Sequence, residues 1–365
     1  MTLSRGAIGN LVNRYRAVLR KCRMMNVFGS LAVAGMLVAG NAGFAGAEEL
    51  SGDISPISLS GDTRNIIGVG DISLRSTEPA LRYLINVSGQ GQLDISMSNG
   101  SPMAVGNADG IYLKDYSEYD QYASAFHVAG SGSSGSFAGT GTFSMVGGGK
   151  LLGVCAFLSE SKGTLTLSGD ITGEAEAVMN GSNGYASFAA AAAGGNLVFG
   201  GDRTTLRAKA FTGNNANGAF VKYGGMIDFA SKSVLIESKN TDSSSVGINC
   251  ADGTVKTSAD TDLDIVVEGN KATTGIQLTA SSSDVQLAGN LDLTATQTGQ
   301  DSFASVLGIS NDSGKMVVSG PTSLRLVTNA PFDAKGITAS GKADMSFLGD
   351  VEIAVTGSAS GSALY

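Results

Sequence analysis

From Ser51 onward, short runs of alternating apolar and polar residues recur, each closing on a small turn. The clearest are Ile57-Ser58-Leu59-Ser60-Gly61-Asp62, Leu165-Thr166-Leu167-Ser168-Gly169-Asp170, Leu197-Val198-Phe199-Gly200-Gly201-Asp202, Val285-Gln286-Leu287-Ala288-Gly289-Asn290 and Met345-Ser346-Phe347-Leu348-Gly349-Asp350. Weaker copies start at Ile85, Phe126, Ile227, Val255 and Met316, so most starts are about 30 residues apart. A second alternating run follows the turn, as in Leu206-Arg207-Ala208-Lys209-Ala210 and Leu263-Asp264-Ile265-Val266-Val267. A third run begins with Gly at Gly110, Gly153, Gly218, Gly247, Gly275 and Gly336. Alternation of this kind marks strands with one face in and one face out. The Gly marks a corner that a side chain would block or that needs positive φ.

Three strands per ~30 residues, without a helical period, predict an all-β fold: a parallel β-helix of about ten rungs over residues 48–365. A unit of this size cannot bury its apolar face alone, so neighbours stack into one core. At roughly 4.8 Å per rung the rod is about 48 Å long. A β-sandwich of short strands has the same alternation and is the alternative. One interval, from Ile85 to Phe126, is longer than the others and predicts an enlarged rung at about 85–165.

Residues 1–47 do not share the pattern. They hold six basic residues and no acid, then an apolar run from Val27 to Val38, then Ala45-Gly46-Ala47 before Glu48. This is the layout of a signal peptide, here a long one. The apolar run falls short of the ~20 residues of a membrane anchor. With six of the 24 basic residues and none of the 32 acidic ones in this segment, the remainder has a formal charge of −14. That charge disfavours nucleic acid or anionic lipid as partners.

Composition adds 52 Gly, 5 Pro, 1 His, 3 Cys and no Trp. No Gly-X-Y period exists, so collagen is excluded. So few His and Cys leave no zinc site and no disulfide framework. Cys155 and Cys250 fall on third strands three rungs apart, roughly 14 Å by the strand spacing, too far for a disulfide. Asp170, Asp202, Asp260, Asn290 and Asp350 share one turn, and a carboxylate column suits Ca²⁺. Lys232 and Pro321 interrupt it, however, and Asp and Asn are ordinary turn residues. No metal or cofactor is expected. The outward acids Asp264, Glu268, Asp292 and Glu352 are scattered along the chain, without Arg or Lys around them.

The candidate binding residues are Tyr112, Tyr116, Tyr119, Tyr122 and His127. Four of the nine Tyr fall within eleven residues of the longest interval. Insertions in repeat proteins map to loops on one face, and Tyr offers contact area with a polar tip. Aromatics that simply cover an elongated rung are the plainer reading. A catalytic triad would need His127 with Ser124 and Asp120, but no nucleophile elbow marks them, so no catalysis is expected.

The long signal, the Gly/Ser/Ala/Thr-rich composition, the near-absence of His and Trp, and the β-helical repeat together resemble the passenger domain of a bacterial autotransporter (type V secretion). The resemblance rests on architecture and composition and covers most of the chain. It implies export through the inner membrane to the cell surface, outer membrane or medium. It also implies an outer-membrane barrel in the same polypeptide, which this sequence does not contain. A solenoid without a terminal cap at Tyr365 reads as a truncated piece or as an end that a partner covers. The expected role is adhesion or self-association. The partner would be a host or bacterial surface glycan or protein, or a second copy. A non-catalytic stalk and a polysaccharide-acting enzyme are the alternatives.

Overall fold

The computed structural model describes residues 47–78, 81–98, 100–107, 122–147, 153–178, 186–211, 215–299, 305–329, 334–357 and the backbone of 361–364. Residues 1–46 of the expected signal segment therefore lie outside the described residues. Glu48–Tyr365 form one compact unit.

Its alternating runs become parallel strands, and no helix occurs among the described residues. The expected parallel β-helix is the fold. The strands form two sheets, one of 17 and one of 11 strands. The larger is bent and makes two sides of each rung. The smaller makes the third side and is called here the back wall.

The bend has a steric cause. In Thr164–Ala177 a single 14-residue strand turns at Gly169, whose φ is +108°. A Cβ there would lie 2.2 Å from the Gly139 carbonyl oxygen of the rung below, so stacked corners leave no room for a side chain. Later rungs break at this corner into two strands, as in Gly225–Phe229 and Ser233–Asn240.

The register from Leu165 onward follows the sequence pattern. Leu165 pairs with Leu197, then Ile227, Val255, Val285, Met316 and Met345 in succession. The earlier starts need a correction. Ile57, Ile85 and Phe126 do pair in succession, but in the back wall, where Phe126 continues to Phe157. The partner of Leu165 in the rung below is Gly135, and that of Gly135 is Leu93. Both walls carry the same alternation, so period alone does not tell them apart.

Gly218, Gly247, Gly275 and Gly336 are also not corners but lie inside strands, while Gly110 lies outside the described residues. Gly247 sits in the middle of Ser245–Cys250 without positive φ. A Cβ there would meet Ile265 Cγ2 at 2.4 Å, across the core. These positions are small because aliphatic side chains of the bent sheet fill the space from the opposite side. Gly153 lies outside that column, since it pairs with Ala186.

The core is one continuous apolar column. Phe143, Phe157, Phe199 and Phe229 stack along it with successive ring centroids 5.0, 5.5 and 5.4 Å apart. Such aromatic contacts add specific geometry to apolar burial.

Candidate functional site

In the central rungs the back wall is buried on both faces. Tyr122–Ala129 and Gly153–Glu160 are buried at seven successive positions each. Phe126 and Phe157 point into the core, while Cys155 and Leu158 belong to a second apolar cluster with Tyr122, Phe188 and Ala191.

That second cluster lies on a concave surface. Tyr122 begins its strand, and the register carries its last residue, Ala129, up through Glu160 and Ala193 to Lys222. Seven residues along and three rungs up are about 23 Å and about 14 Å on a flat sheet. Two side chains cannot span that. Yet Lys222 Nζ donates to Tyr122 Oη at 2.6 Å. The wall must curve inward, and the two side chains close over Cys155 and Leu158.

Lys222 is surrounded by rings. Its Nζ lies 4.9 Å from the Tyr122 centroid, 5.7 Å from Phe220 and 4.6 Å from Tyr223. Phe220 packs on Phe188 at 4.8 Å, and Phe188 meets the Tyr122 ring edge-on at 5.9 Å. Burial pushes the Tyr122 phenol far up, so it stays neutral and can accept the lysine proton bond. Burial likewise raises the Cys155 thiol. At the other rim, Arg82 donates from Nε and Nη2 to the Tyr122 carbonyl and from Nη2 to Tyr83 Oη at 2.8 Å. Its guanidinium sits 4.9 Å over the Tyr83 ring.

His127 is 5% exposed and stacks on Tyr83 at 4.0 Å. Its Nδ1 contacts Asn86 Oδ1 at 2.8 Å, and its Nε2 contacts Glu160 Oε2 at 3.1 Å. Both ring nitrogens are therefore engaged, each in a different neighbouring rung. Ser124 is fully buried, and its Oγ has no hydrogen-bond partner among the described residues. The Ser124–His127 pairing that a triad requires is not formed.

Of the candidates read from the sequence, Tyr122 and His127 thus share one cluster. Tyr112, Tyr116 and Tyr119 lie outside the described residues. The sequence reading missed Tyr83, Arg82, Phe188, Phe220, Lys222 and Tyr223. A signal was present: Phe188 and Phe220 fall at outward positions of strands whose inward positions are already apolar.

The turn acids form ion pairs rather than a cation site. Asp170 meets Arg203 at 3.3 Å and Asp202 meets Lys232 at 2.7 Å. Asp262, not Asp260, aligns with Asn290 and accepts from it at 2.7 Å. No metal-holding group of His, Cys, Asp or Glu occurs among the described residues. The outward acids are not all isolated from cations either, because Glu268 pairs with Lys239 at 2.9 Å. Asp264 and Asp292 are register partners, and Asp264 is raised by burial first, then by Asp292 and Asp262. Cys155 and Cys250 are both free and buried.

No family model matches the chain, and no curated protein or solved structure matches it.

Proposed function

We propose that this chain is an exported, passenger-like β-helix that acts by display at a cell surface, as an adhesion or self-association module without catalysis. The observation that carries the reading is the rim of the aromatic cluster on the back wall, where Tyr223 is 71% exposed beside the Lys222 ammonium. A solenoid needs no aromatic cluster on its outer face for stability, since its core is already continuous. Aromatic side chains with polar tips are typical of contact surfaces. The engagement of both His127 nitrogens within the wall favours binding over hydrolysis. The leader-like segment 1–47 supports export, and the resemblance to passenger domains supports the outer surface as destination.

A spacer role has one observation in its favour, confined to the upper rungs. There one outward column of the back wall runs Asn249, Gln277, Ser310 and Thr338, all polar, although a parallel column holds Val246 and Leu307. We assign that half to extension and the central rungs to contact.

The test is expression of the full chain in a Gram-negative host. The reading expects a secreted or surface product that begins at Glu48 and is retained on cells or on itself. A product that keeps residues 1–47 and stays in the cytoplasm would overturn export. A folded product that binds neither cells nor itself would overturn the adhesive role.

A further inference from the structure

We infer that the Lys222 rim of the concave wall binds an acidic carbohydrate, with Lys222 on the carboxylate and Tyr223 on the sugar face. This rests on the adhesive reading above and specifies its ligand.

The first argument is charge. On the bent sheet, cations face acids across rungs: Arg207 is held by Glu174 at 3.2 Å and Glu237 at 2.5 Å, and Lys256 by Asp228 at 2.9 Å. On the concave wall the pattern differs. Lys222 has no carboxylate within ion-pair distance among the described residues, and neither does Arg82. Their hydrogen bonds go to phenol and carbonyl oxygens. The nearby Glu160 carboxylate is engaged by His127. Lys222 at one rim and Arg82 at the other thus each stand without a carboxylate partner among the described residues. An ammonium has three donors, and among the described residues only one is used. Partial desolvation by three rings strengthens its attraction for an anion.

The second argument is shape. Tyr223 is 71% exposed and held at φ +56°, so its ring is presented beside Lys222 rather than packed away. A flat aromatic face next to a cation fits a ring-shaped ligand with an apolar C–H face and a carboxylate at its edge. Beyond Phe220 the outward column continues as Asn249 and Gln277. Asn249 Nδ2 already donates to Asn217 Oδ1 at 3.2 Å, so it is the half-buried Gln277 whose amide can both donate to and accept from sugar hydroxyls. A peptide of acidic residues alone would use the cation but has no ring face to lay on Tyr223.

The test is titration of the full chain with hyaluronan oligosaccharides, with dextran as the neutral sugar and poly-glutamate as the anion without a sugar. Hyaluronan is expected to bind more tightly than either by at least tenfold. Lys222→Met, which keeps the apolar stem, is expected to lose at least tenfold in affinity for hyaluronan. Lys222→Arg is expected to stay within about threefold of the parent. Tyr223→Asn, which tolerates positive φ, is expected to weaken hyaluronan binding without lowering thermal stability. Equal binding of poly-glutamate would overturn the sugar, and equal binding of dextran would overturn the carboxylate. No hyaluronan binding, or binding unchanged in Lys222→Met, would overturn the assignment altogether. If the parent still adheres to cells in those cases, the adhesive reading survives and only the ligand class falls.

Discussion

Lys222 Nζ and Tyr122 Oη are 2.6 Å apart, although a hundred residues and three rungs separate them. The contact closes the concave wall over Cys155 and Leu158. It also couples four successive back-wall strands through side chains as well as through backbone pairing. Tyr122→Phe keeps the ring and removes the acceptor. We expect a loss of about 1–2 kcal/mol, the range for a hydrogen bond involving a charged donor at a partly exposed site. Urea unfolding of the two proteins measures it.

Gly247 lies opposite Ile265 across the core, with 2.4 Å from a built Cβ to Ile265 Cγ2 and 2.6 Å to the Gly275 carbonyl oxygen. Gly247→Ala is therefore overpacking against backbone as well as side chain. A loss of about 2–3 kcal/mol is expected. Gly100, with nothing within 4 Å of its Cβ position but with φ +71°, is the contrasting site. Gly100→Asn should cost less than half as much in the same assay, because Asn tolerates that region.

Asp264 gives a pH prediction. Burial first, then Asp292 and Asp262, raise its pKa, so the folded chain holds this proton more tightly than the unfolded chain does. Its contribution favours folding at low pH and is lost as pH rises through the unfolded and then the folded pKa. At neutral pH the ionised carboxylate opposes folding. Asp264→Asn should raise the melting temperature at pH 7, and the gain should shrink as pH falls through the carboxylate range. A gain independent of pH would contradict the assignment.

The thiols should be inert in the native state. Cys250 is pushed up to about 11, chiefly by burial, and Cys155 is raised as well. Thiolate is the reactive form. Alkylation at pH 8 followed by peptide mass spectrometry should leave both unmodified in native protein and label both in denaturant. No peptide linking them should appear.

The rung architecture was legible because alternation and turn residues repeat at nearly constant spacing from Leu165 to Met345. The wall assignment of Ile57, Ile85 and Phe126 was not. An inward-facing strand looks the same in either sheet until cross-rung pairing is known. Corner glycines such as Gly169 were read correctly from position. Gly247 was read as a corner when it is a packing site, since sequence does not show what lies across the core. The cluster proposed for contact is half legible. Tyr122 and His127 stand out as local aromatics. Lys222 and Arg82 do not, because only stacking and wall curvature bring them to Tyr122.

We propose the Lys222 rim of the concave wall as the contact surface of an exported β-helix. The most direct measurement compares cell retention of the purified protein with that of the Lys222→Met/Tyr223→Asn double variant. We expect at least a tenfold loss of retention, with a loss of stability no larger than that of Tyr122→Phe, which removes the same hydrogen bond. Equal retention of the two proteins would contradict it.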